Sequence, residues 1–339
     1  MIKSAKMISA PRSVHVGVLV FPGCVRSAAV VPHDVLRVAN LLMRARPAPE
    51  RVRFETHWLG ARRKSGVAVD GLSFETVGLD AHRLDALIVP GVDHDDAGGL
   101  TESIARLGPE QALLRAFAQD GGWLLSGCSG SCLVAQAGLL DGRRVTTSWW
   151  LADHFRRSFP AVRLQTDEIL LQDGRRVSSA GVTSYFDLAL WIVGEYGGAD
   201  LRQIAAKMLV MDGRRASQAP YVTAAVLDGP GPVVLERARR WLDRRLDQAW
   251  TMAELAQHCH TSERTLLRRF QAVLGMGPVQ YVQQARIERA KALLESTRLS
   301  LESITGRCGY QDVSTLSKMF KRWAGLTPRE YRARFGLRS

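Results

Sequence analysis

Cys128 is the residue of this sequence whose type and position most directly suggest chemistry. It lies in the stretch LLSGCSGSCLVAQAGLL, Leu124 to Leu140, at the turn between an apolar segment of strand character and an apolar segment of helical character. A cysteine at such a turn acts as a nucleophile when a nearby base or acid accepts its proton and orients it. Cys128 is therefore either the nucleophile of a cysteine-dependent hydrolase or the remnant of one in a protein with another function.

The remaining cysteines indicate neither a metal site nor a disulfide framework. The five cysteines are odd in number and far apart, which is typical of a protein in a reducing compartment. Cys128 and Cys132 have CxxxC spacing rather than the CxxC of redox and zinc motifs. His258, Cys259 and His260 are adjacent, so their side chains diverge on a helix. We therefore predict no metal and no cofactor.

The elements that must position Cys128 alternate between strands and helices. VHVGVLVF (14–21) has the pattern of a buried strand and precedes a helix from about Ala29 to Arg44, while RVRFETHWL, LDALIVPG and GGWLLSG are further short strands. This alternation predicts parallel pairing in an α/β sandwich of the flavodoxin-like type. Ligands of such sheets gather at the carboxyl ends of the strands. The segments from Gly91 to Asp96 and from Gly127 to Gly130 are therefore the ones expected to meet a ligand.

An internal repeat organises the last third of the chain. TLLRRFQAVLGMGPVQYVQQ and TLSKMFKRWAGLTPREYRAR align at an offset of 50 residues. The matched positions are Thr265 with Thr315, Leu266 with Leu316, Phe270 with Phe320, Gly275 with Gly325, Pro278 with Pro328, and Tyr281 with Tyr331. Each unit consists of a short helix, a turn and a second helix, which is the layout of a helix-turn-helix. The pattern predicts an all-α domain of seven helices with two such units, and Thr251 and Ser300 as N-caps, with Glu254 completing a capping box.

The net charge is concentrated in the same region. The whole chain carries +13, and the residues from Val233 to Ser339 hold 20 Lys and Arg against 10 Asp and Glu, which leaves only +3 for the rest. Such basicity is typical of a protein that binds a polyanion, most often nucleic acid, although a solvated basic face would have the same composition. Charge and repeat together favour double-stranded DNA as a partner.

The phrase ITGRCGYQDVSTLSKMFKRWAGLTPREYR resembles the signature of the AraC/XylS family of transcription regulators, and the resemblance extends from Leu246 to Phe335. In that family the exposed face of each second helix contacts DNA. The resemblance implies DNA contacts by Arg264, Thr265, Leu267 and Arg268 in the first unit and by Val313, Ser314, Ser317 and Lys318 in the second. Arg264 and Arg268 are four residues apart and share a helix face, so either could form a bidentate contact with guanine.

The segment GCSGSCLVAQAGLLDGRRVTTSW resembles the class I glutamine amidotransferase-like superfamily, in particular the PfpI-like domains of the GlxA-like group of regulators. VGVLVFPG, LIVPG and SSAGVTSYFDLAL belong to the same resemblance, which runs from about Val14 to Tyr196. In enzymes of the superfamily the cysteine occupies a strained elbow between strand and helix, where backbone N–H groups and the helix dipole stabilise a thiolate. The resemblance implies such an elbow at Cys128.

Three partners that the enzymatic chemistry would use are replaced in this chain. Ser129 follows the cysteine where the peptidase-like members have histidine, Ala28 stands where many other members have an acidic residue, and Ser148 replaces the histidine of the GlxA-like TTHW pattern. A thiol without an acid or imidazole beside it lacks an efficient proton acceptor. We therefore predict a degenerate elbow with no catalytic residue; the alternative is a cysteine-dependent amidase or hydrolase with a DNA-binding appendage.

A cleft with the elbow as its floor remains suited to a small molecule. The predicted ligand-binding residues are Cys128, Gly91, Asp93, Ser129 and Trp149. The carboxylates of VDHDDAGG and the indole of Trp149 would suit a cationic nitrogen compound, and some family members sense such compounds. An amino-acid or amine-like effector is the resulting hypothesis. Its alternatives are an acidic loop that is merely solvated and a domain that serves only as a dimerisation scaffold.

These observations predict four segments of the chain. They are a disordered N-terminus (1–12), a PfpI-like α/β sensor and dimerisation domain (13–210), a linker (211–232) and an AraC-type DNA-binding domain (233–339). The predicted function is that of a ligand-responsive transcription activator, not an enzyme, which acts on promoter DNA as a homodimer with RNA polymerase as a partner. No apolar run approaches the roughly 18 residues that span a bilayer, so we expect a cytoplasmic protein that does not bind membranes.

Overall fold

The computed structural model describes residues 12–47, 51–62, 66–212, 217–221, 233–274 and 276–337. The chain divides into two compact units, Met1–Gln218 and Ala219–Ser339. The predicted disordered N-terminus lies outside the described residues apart from Arg12, and so does the predicted linker apart from residues 211–212 and 217–221. Within the described residues, no helix is both long enough and apolar enough to cross a membrane.

The first unit is built around a six-stranded sheet with strand order β2-β1-β5-β6-β10-β9. The strands of the unit are β1 (Arg12–Leu19), β2 (Val52–Leu59), β3 (Gly66–Val69), β4 (Leu72–Glu75), β5 (Ala86–Val89), β6 (Trp123–Gly127), β7 (Arg144–Val145), β8 (Arg163–Leu164), β9 (Leu170–Asp173) and β10 (Arg176–Ser179). Its helices are α1 (Arg26–Met43), α2 (Ala97–Ala105), α3 (Gly108–Gln119), α4 (Gly130–Gln136), α5 (Ala152–Ser158), α6 (Tyr185–Gly197) and α7 (Ala199–Met208).

The central sheet is parallel except at one edge. β1, β2, β5, β6 and β10 pair in parallel, whereas β9 runs antiparallel to β10. Every residue of β5 and β6 is buried, as expected for central parallel strands covered on both faces, whose sequences are continuous apolar runs. Helices α1, α6 and α7 pack together, and α4 contacts both α2 and α3. The predicted α/β sandwich is therefore confirmed.

Several elements of this unit were not predicted from the sequence. They are the hairpin formed by β3 and β4, the two-residue strand β7 and the helices α2, α5 and α7. The hairpin turns at Asp70 and Gly71, whose φ angles are 42° and 86°. An Asp-Gly pair with positive φ at both positions suits a two-residue hairpin turn, so the sequence did carry a signal for this element.

The second unit is helical throughout its described residues. Its seven helices are α8 (Val233–Asp243), α9 (Met252–His258), α10 (Glu263–Leu274), α11 (Pro278–Ser296), α12 (Leu301–Arg307), α13 (Val313–Ala324) and α14 (Pro328–Phe335). They enclose two separate cores, because Val282 at the start of α11 packs with Leu266 and Phe270, whereas Ile287 farther along it belongs to the core of Phe320. The predicted all-α domain with two helix-turn-helix units is confirmed.

Local sequence signals define the ends of these helices. Thr251 and Glu254 form the predicted capping box, with Thr251 N–H donating to the Glu254 carboxylate at 2.7 Å and Glu254 N–H to the Thr251 hydroxyl at 3.2 Å. Ser300 caps α12 as predicted, and its hydroxyl accepts from the N–H of Ser303. Gly309, in the turn before α13, has a φ of 73°, and a Cβ there would overlap the carbonyl oxygen of Leu246. Only glycine satisfies both conditions.

Candidate functional site

Cys128 occupies a strained elbow between β6 and α4. Its φ angle is 52°, in the left-handed region that a residue with a Cβ enters at a cost, and its N–H donates to Ser179 O at 3.0 Å. Gly130 lets the elbow lie against the end of β5, because a Cβ there would be 2.5 Å from Pro90 O. The GCSG sequence thus forms the sharp strand-to-helix turn that the resemblance implied.

A serine hydroxyl touches the sulfur of this elbow. Ser148 Oγ donates to Cys128 Sγ at 3.0 Å, and the neighbouring Thr147 hydroxyl donates to the carbonyl oxygen of Cys128 at 2.8 Å. Ser148 is the residue that replaces histidine in the TTHW pattern. Because a serine hydroxyl is a far weaker base than imidazole, this contact orients the thiol without providing a group that would readily take its proton. Cys128 itself is only 4% exposed.

Two other titratable groups near the elbow, Tyr185 and Cys132, are buried. Tyr185 is fully buried and donates its hydroxyl proton to Gly127 O at 2.7 Å, and burial raises the pKa of this phenol, which stays a neutral donor. Cys132 is also fully buried, and desolvation raises the pKa of its thiol. Neither group is available for chemistry at the elbow.

Ser129 and Gly91 are brought together with Cys128, and Ser129 holds the loop that follows β5. The hydroxyl of Ser129 accepts from Val92 N–H at 2.9 Å and donates to Val92 O at 2.8 Å. Gly91 accepts a hydrogen bond from Val25 N–H, and a Cβ at Gly91 would lie 3.1 Å from Ser129 Oγ. Ser129 therefore acts on the site chiefly by fixing the position of the 90–92 backbone.

Asp93 directly follows the 90–92 segment, and Trp149 directly follows Ser148. Asp93 is exposed, and its carboxylate accepts only from the N–H of His94 among the hydrogen bonds of the site, at 3.1 Å. Trp149 is half-buried and packs edge to face on Trp150, with ring centroids 5.4 Å apart. Asp96, another carboxylate of the same loop, is committed to capping α2 through the N–H of Gly99 at 2.7 Å.

Gln218 is the residue of this region that the sequence analysis missed. Its Oε1 accepts from Trp149 N–H at 3.0 Å, and its side chain is 3% exposed. Its Nε2 lies 2.9 Å from both Thr147 O and Thr166 O, with Glu168 O and Thr146 Oγ1 at 3.1 and 3.2 Å. An amide has two N–H groups, so it donates two full hydrogen bonds among these acceptors. Gln218 is thereby hydrogen-bonded to the residues on both sides of Ser148, Thr147 and Trp149.

The exposed face of α10 carries the predicted DNA contacts of the first helix-turn-helix. Arg264, Leu267 and Arg268 are exposed, with Leu267 at 45%. Thr265 is half-buried and its hydroxyl accepts from Ser262 Oγ at 2.9 Å at the start of the helix. Because Leu266 and Phe270 are fully buried on the other face, the arginines point away from the core.

The same division holds on α13. Ser314 and Lys318 are exposed and Val313 and Ser317 are half-buried. Leu316 and Phe320 are fully buried on the opposite face. The exposed residue Arg322 follows Lys318 by one helical turn and extends the basic face of α13. The four-residue spacing could have suggested this residue from the sequence.

A basic groove on α8 was also missed by the sequence analysis. It is lined by Arg237, Arg240, Trp241, Arg244, Arg245 and His258. The guanidinium of Arg245 lies over the ring of Trp241 at 4.4 Å, a cation–π contact that fixes one wall. Four arginines around one groove form a surface suited to phosphate oxygens.

Comparison with known proteins agrees with this division. The model of the DJ-1/PfpI family matches residues 16–195, which include the sheet and the elbow, and the model of a helix-turn-helix domain matches residues 255–334. The chain belongs to the DJ-1/PfpI family. It combines the DJ-1/PfpI domain with an AraC-type helix-turn-helix domain and is a DNA-binding transcription regulator.

Relatives with the same two-part organisation cover most of the chain. The HTH-type transcriptional regulator GbdR of Pseudomonas aeruginosa is 29% identical over 309 residues, which are 90% of this chain and 80% of GbdR. The HTH-type transcriptional regulator GlxA of Rhizobium meliloti is 27% identical over 320 residues, covering 89% of this chain and 90% of GlxA. The crystal structure of a protein from Vibrio parahaemolyticus superposes on 58% of this chain and on 100% of its own, with a TM-score of 0.50 and 23% identity, which supports the fold.

Proposed function

We propose that this regulator couples a small-molecule site at the Cys128 elbow to DNA binding by α10 and α13. The observation that carries the proposal is the position of Gln218. Its side chain is bonded to Thr147 and Trp149, the neighbours of the Ser148 that touches Cys128. It is also the last residue of the first unit, immediately before the DNA-binding unit begins at Ala219. A molecule that displaces residues 147–149 would change the hydrogen bonds that position Gln218.

The proposed effector is a small cationic nitrogen compound, of the amino-acid or amine class. The exposed carboxylate of Asp93 would attract its charge, and the half-buried indole of Trp149 would offer a π-face. Cys128 would form the floor of the site. Gly91 and Ser129 would act through backbone position, since the Ser129 hydroxyl is engaged on both sides by Val92.

The proposed target is promoter DNA, bound by a homodimer in the cytoplasm. Arg264, Thr265, Leu267 and Arg268 would face one major groove and Val313, Ser314, Ser317 and Lys318 the next. α11 connects the two helix-turn-helix units. Its 19 residues span about 28 Å at 1.5 Å per residue, which is close to the ~34 Å between successive major grooves on one face of DNA. Two linked DNA-binding domains bind more tightly than one, and a DNA-bound dimer that contacts RNA polymerase would activate transcription.

The groove of α8 would position the protein on the DNA backbone. Arginines that contact phosphate without reading bases add to affinity for any sequence, and each contact adds about 1 to the slope of affinity against salt. Replacement of Arg244, an exposed residue of this groove, should weaken binding to specific DNA and to random DNA equally. A loss confined to specific DNA would contradict this assignment.

The effector site can be tested by melting the full chain with a panel of amino acids and amines. A molecule that binds the folded state raises the melting temperature, by an amount that grows with its concentration. Trp149→Ala should abolish the shift, and Leu72→Ala is the control because it removes a 45% exposed apolar side chain of the β3–β4 hairpin. The same molecule should change the affinity for genomic DNA fragments selected by the protein, since an effector must bind two states unequally.

Two outcomes would contradict the proposal. If no compound of the panel shifts the melting temperature while specific DNA binding is intact, the first unit is a dimerisation scaffold. If a compound is consumed, and consumption is lost in Cys128→Ala, the chain is the hydrolase that was the alternative from sequence. Sedimentation of the purified protein tests the homodimer separately.

A further inference from the structure

Three histidines come together on the sheet at a place that the proposed function does not use. His15 lies in β1, His57 in β2, and His82 in the loop before β5. One ring nitrogen from each histidine lies within 4.8 Å of the corresponding nitrogens of the other two. The cluster precedes β5 in the chain, whereas the Gly91 loop of the elbow follows that strand. The sequence analysis considered only histidines that are adjacent in sequence, and therefore predicted no metal.

The backbone holds these three side chains in place. β1 and β2 pair in parallel with His15 opposite Glu55 and Gly17 opposite His57, so the two histidines and Glu55 share one face of the sheet. Asp85 ties the third histidine's loop to β1: its carboxylate accepts from His15 N–H at 2.8 Å and its own N–H donates to His15 O at 2.9 Å. Two potential ligands thus sit on paired strands and the third on a loop anchored to them.

The distance between the two strand histidines matches that in a transition-metal site. His15 Nδ1 lies 3.2 Å from His57 Nε2. Two nitrogens bound tetrahedrally to one zinc ion at about 2.0–2.1 Å are separated by about 3.3 Å. His82 is exposed, so its ring can turn toward the other two, and Glu55 Oε2 lies 3.9 Å from His15 Nδ1, within reach of the same centre. The three rings stack with planes only 8–23° apart, so binding of a common ion requires the rings to turn until their nitrogens converge.

The ligand type of the cluster also favours a transition metal. Neutral imidazole is the form that binds metal ions. The carboxylate of Glu55 beside His15 would attract a dication.

We propose that His15, His57 and His82 form a binding site for a divalent first-row transition ion, with Glu55 or water as the fourth ligand. Imidazole nitrogens favour zinc, copper, nickel and cobalt over magnesium and calcium, and we take Zn²⁺ as the ion. Bound there, it would join β1, β2 and the loop before β5, and would stabilise the first unit.

The test is zinc binding to the full chain after treatment with a chelator, measured by calorimetry. We expect one zinc ion per chain, bound at least tenfold more weakly by His82→Ala, which alters an exposed loop side chain and leaves the strands intact. His57→Gln should show the same loss. His260→Ala, which removes an exposed histidine of the second unit, is the matched control and should bind as the unaltered protein does.

Cobalt and heat provide two further readouts. Co²⁺ in this site should give the visible absorption of a tetrahedral centre without a thiolate charge-transfer band, and zinc should raise the melting temperature of the unaltered protein but not of His82→Ala. Absence of stoichiometric binding would overturn the proposal. So would unchanged affinity in both His82→Ala and His57→Gln, or a thiolate band with cobalt. None of these results bears on the effector site at the elbow.

Discussion

Replacement of Gln218 by alanine tests whether this residue, which the sequence analysis placed in a linker, contributes to the stability of the first unit. The amide makes one hydrogen bond as acceptor, from Trp149 N–H, and donates two more among the oxygens around it, all in a 3% exposed position. At about 1 kcal/mol net for each bond, the loss is about 3 kcal/mol of unfolding free energy. A unit of this size loses about 2–4 °C of melting temperature per kcal/mol, so we expect a decrease of about 6–12 °C.

The measurement is differential scanning calorimetry of the full chain, in which the first unit's transition is followed separately. Gln136→Ala is the matched control, because it removes an exposed glutamine from the end of α4 and should leave the transition within about 0.5 kcal/mol. Gln218→Glu is a second variant: it keeps the acceptor but places a carboxylate among carbonyl oxygens, and should cost at least as much. If Gln218→Ala melts like the control, the side chain is not held by residues 146–168, and the coupling argued from it is wrong.

Three other predictions concern the DNA face, the elbow and the pH dependence of stability. Arg268→Ala should weaken specific DNA binding by about 1–3 kcal/mol and reduce discrimination against random DNA, as measured by fluorescence anisotropy; Arg106→Ala, which removes an exposed arginine of the first unit, should do neither. All five cysteines are free and buried, so Ellman's reagent should react quickly with less than one thiol per native chain and with five after denaturation; rapid labelling of Cys128 would show an accessible elbow. Burial lowers the pKa of His33 to about 4, so between pH 6.5 and 4 the unfolded chain binds more protons than the folded chain. The first unit should therefore lose up to about 3 kcal/mol of unfolding free energy as the pH falls through that window. His33→Gln should flatten this pH dependence, and an unchanged profile would refute the buried neutral ring.

The prediction of the fold succeeded where the signal was local and periodic. The continuous apolar runs of β5 and β6 indicate buried parallel strands, and the 50-residue repeat with its caps indicates two helix-turn-helix units. The helix α7 was missed, because most of its residues are exposed or small and its apolar face is short. The linker was predicted from glycine and proline content, which says nothing about a side chain such as Gln218 that is held by distant residues.

The sequence by itself determined most of the strands and helices, the turn at Cys128 and the outward faces of α10 and α13, since each depends on residues within a few positions of one another. Only the tertiary structure decided which polar groups meet. Ser148 reaches the sulfur of a cysteine 20 residues earlier, and Gln218 bonds to a loop about 70 residues earlier. His15 and His57 meet across 42 residues, because β1 and β2 pair in one particular register. Hydrophobic periodicity sets the faces of strands and helices, but contacts between polar side chains are set by strand register and loop paths, which follow from the packing of the whole unit.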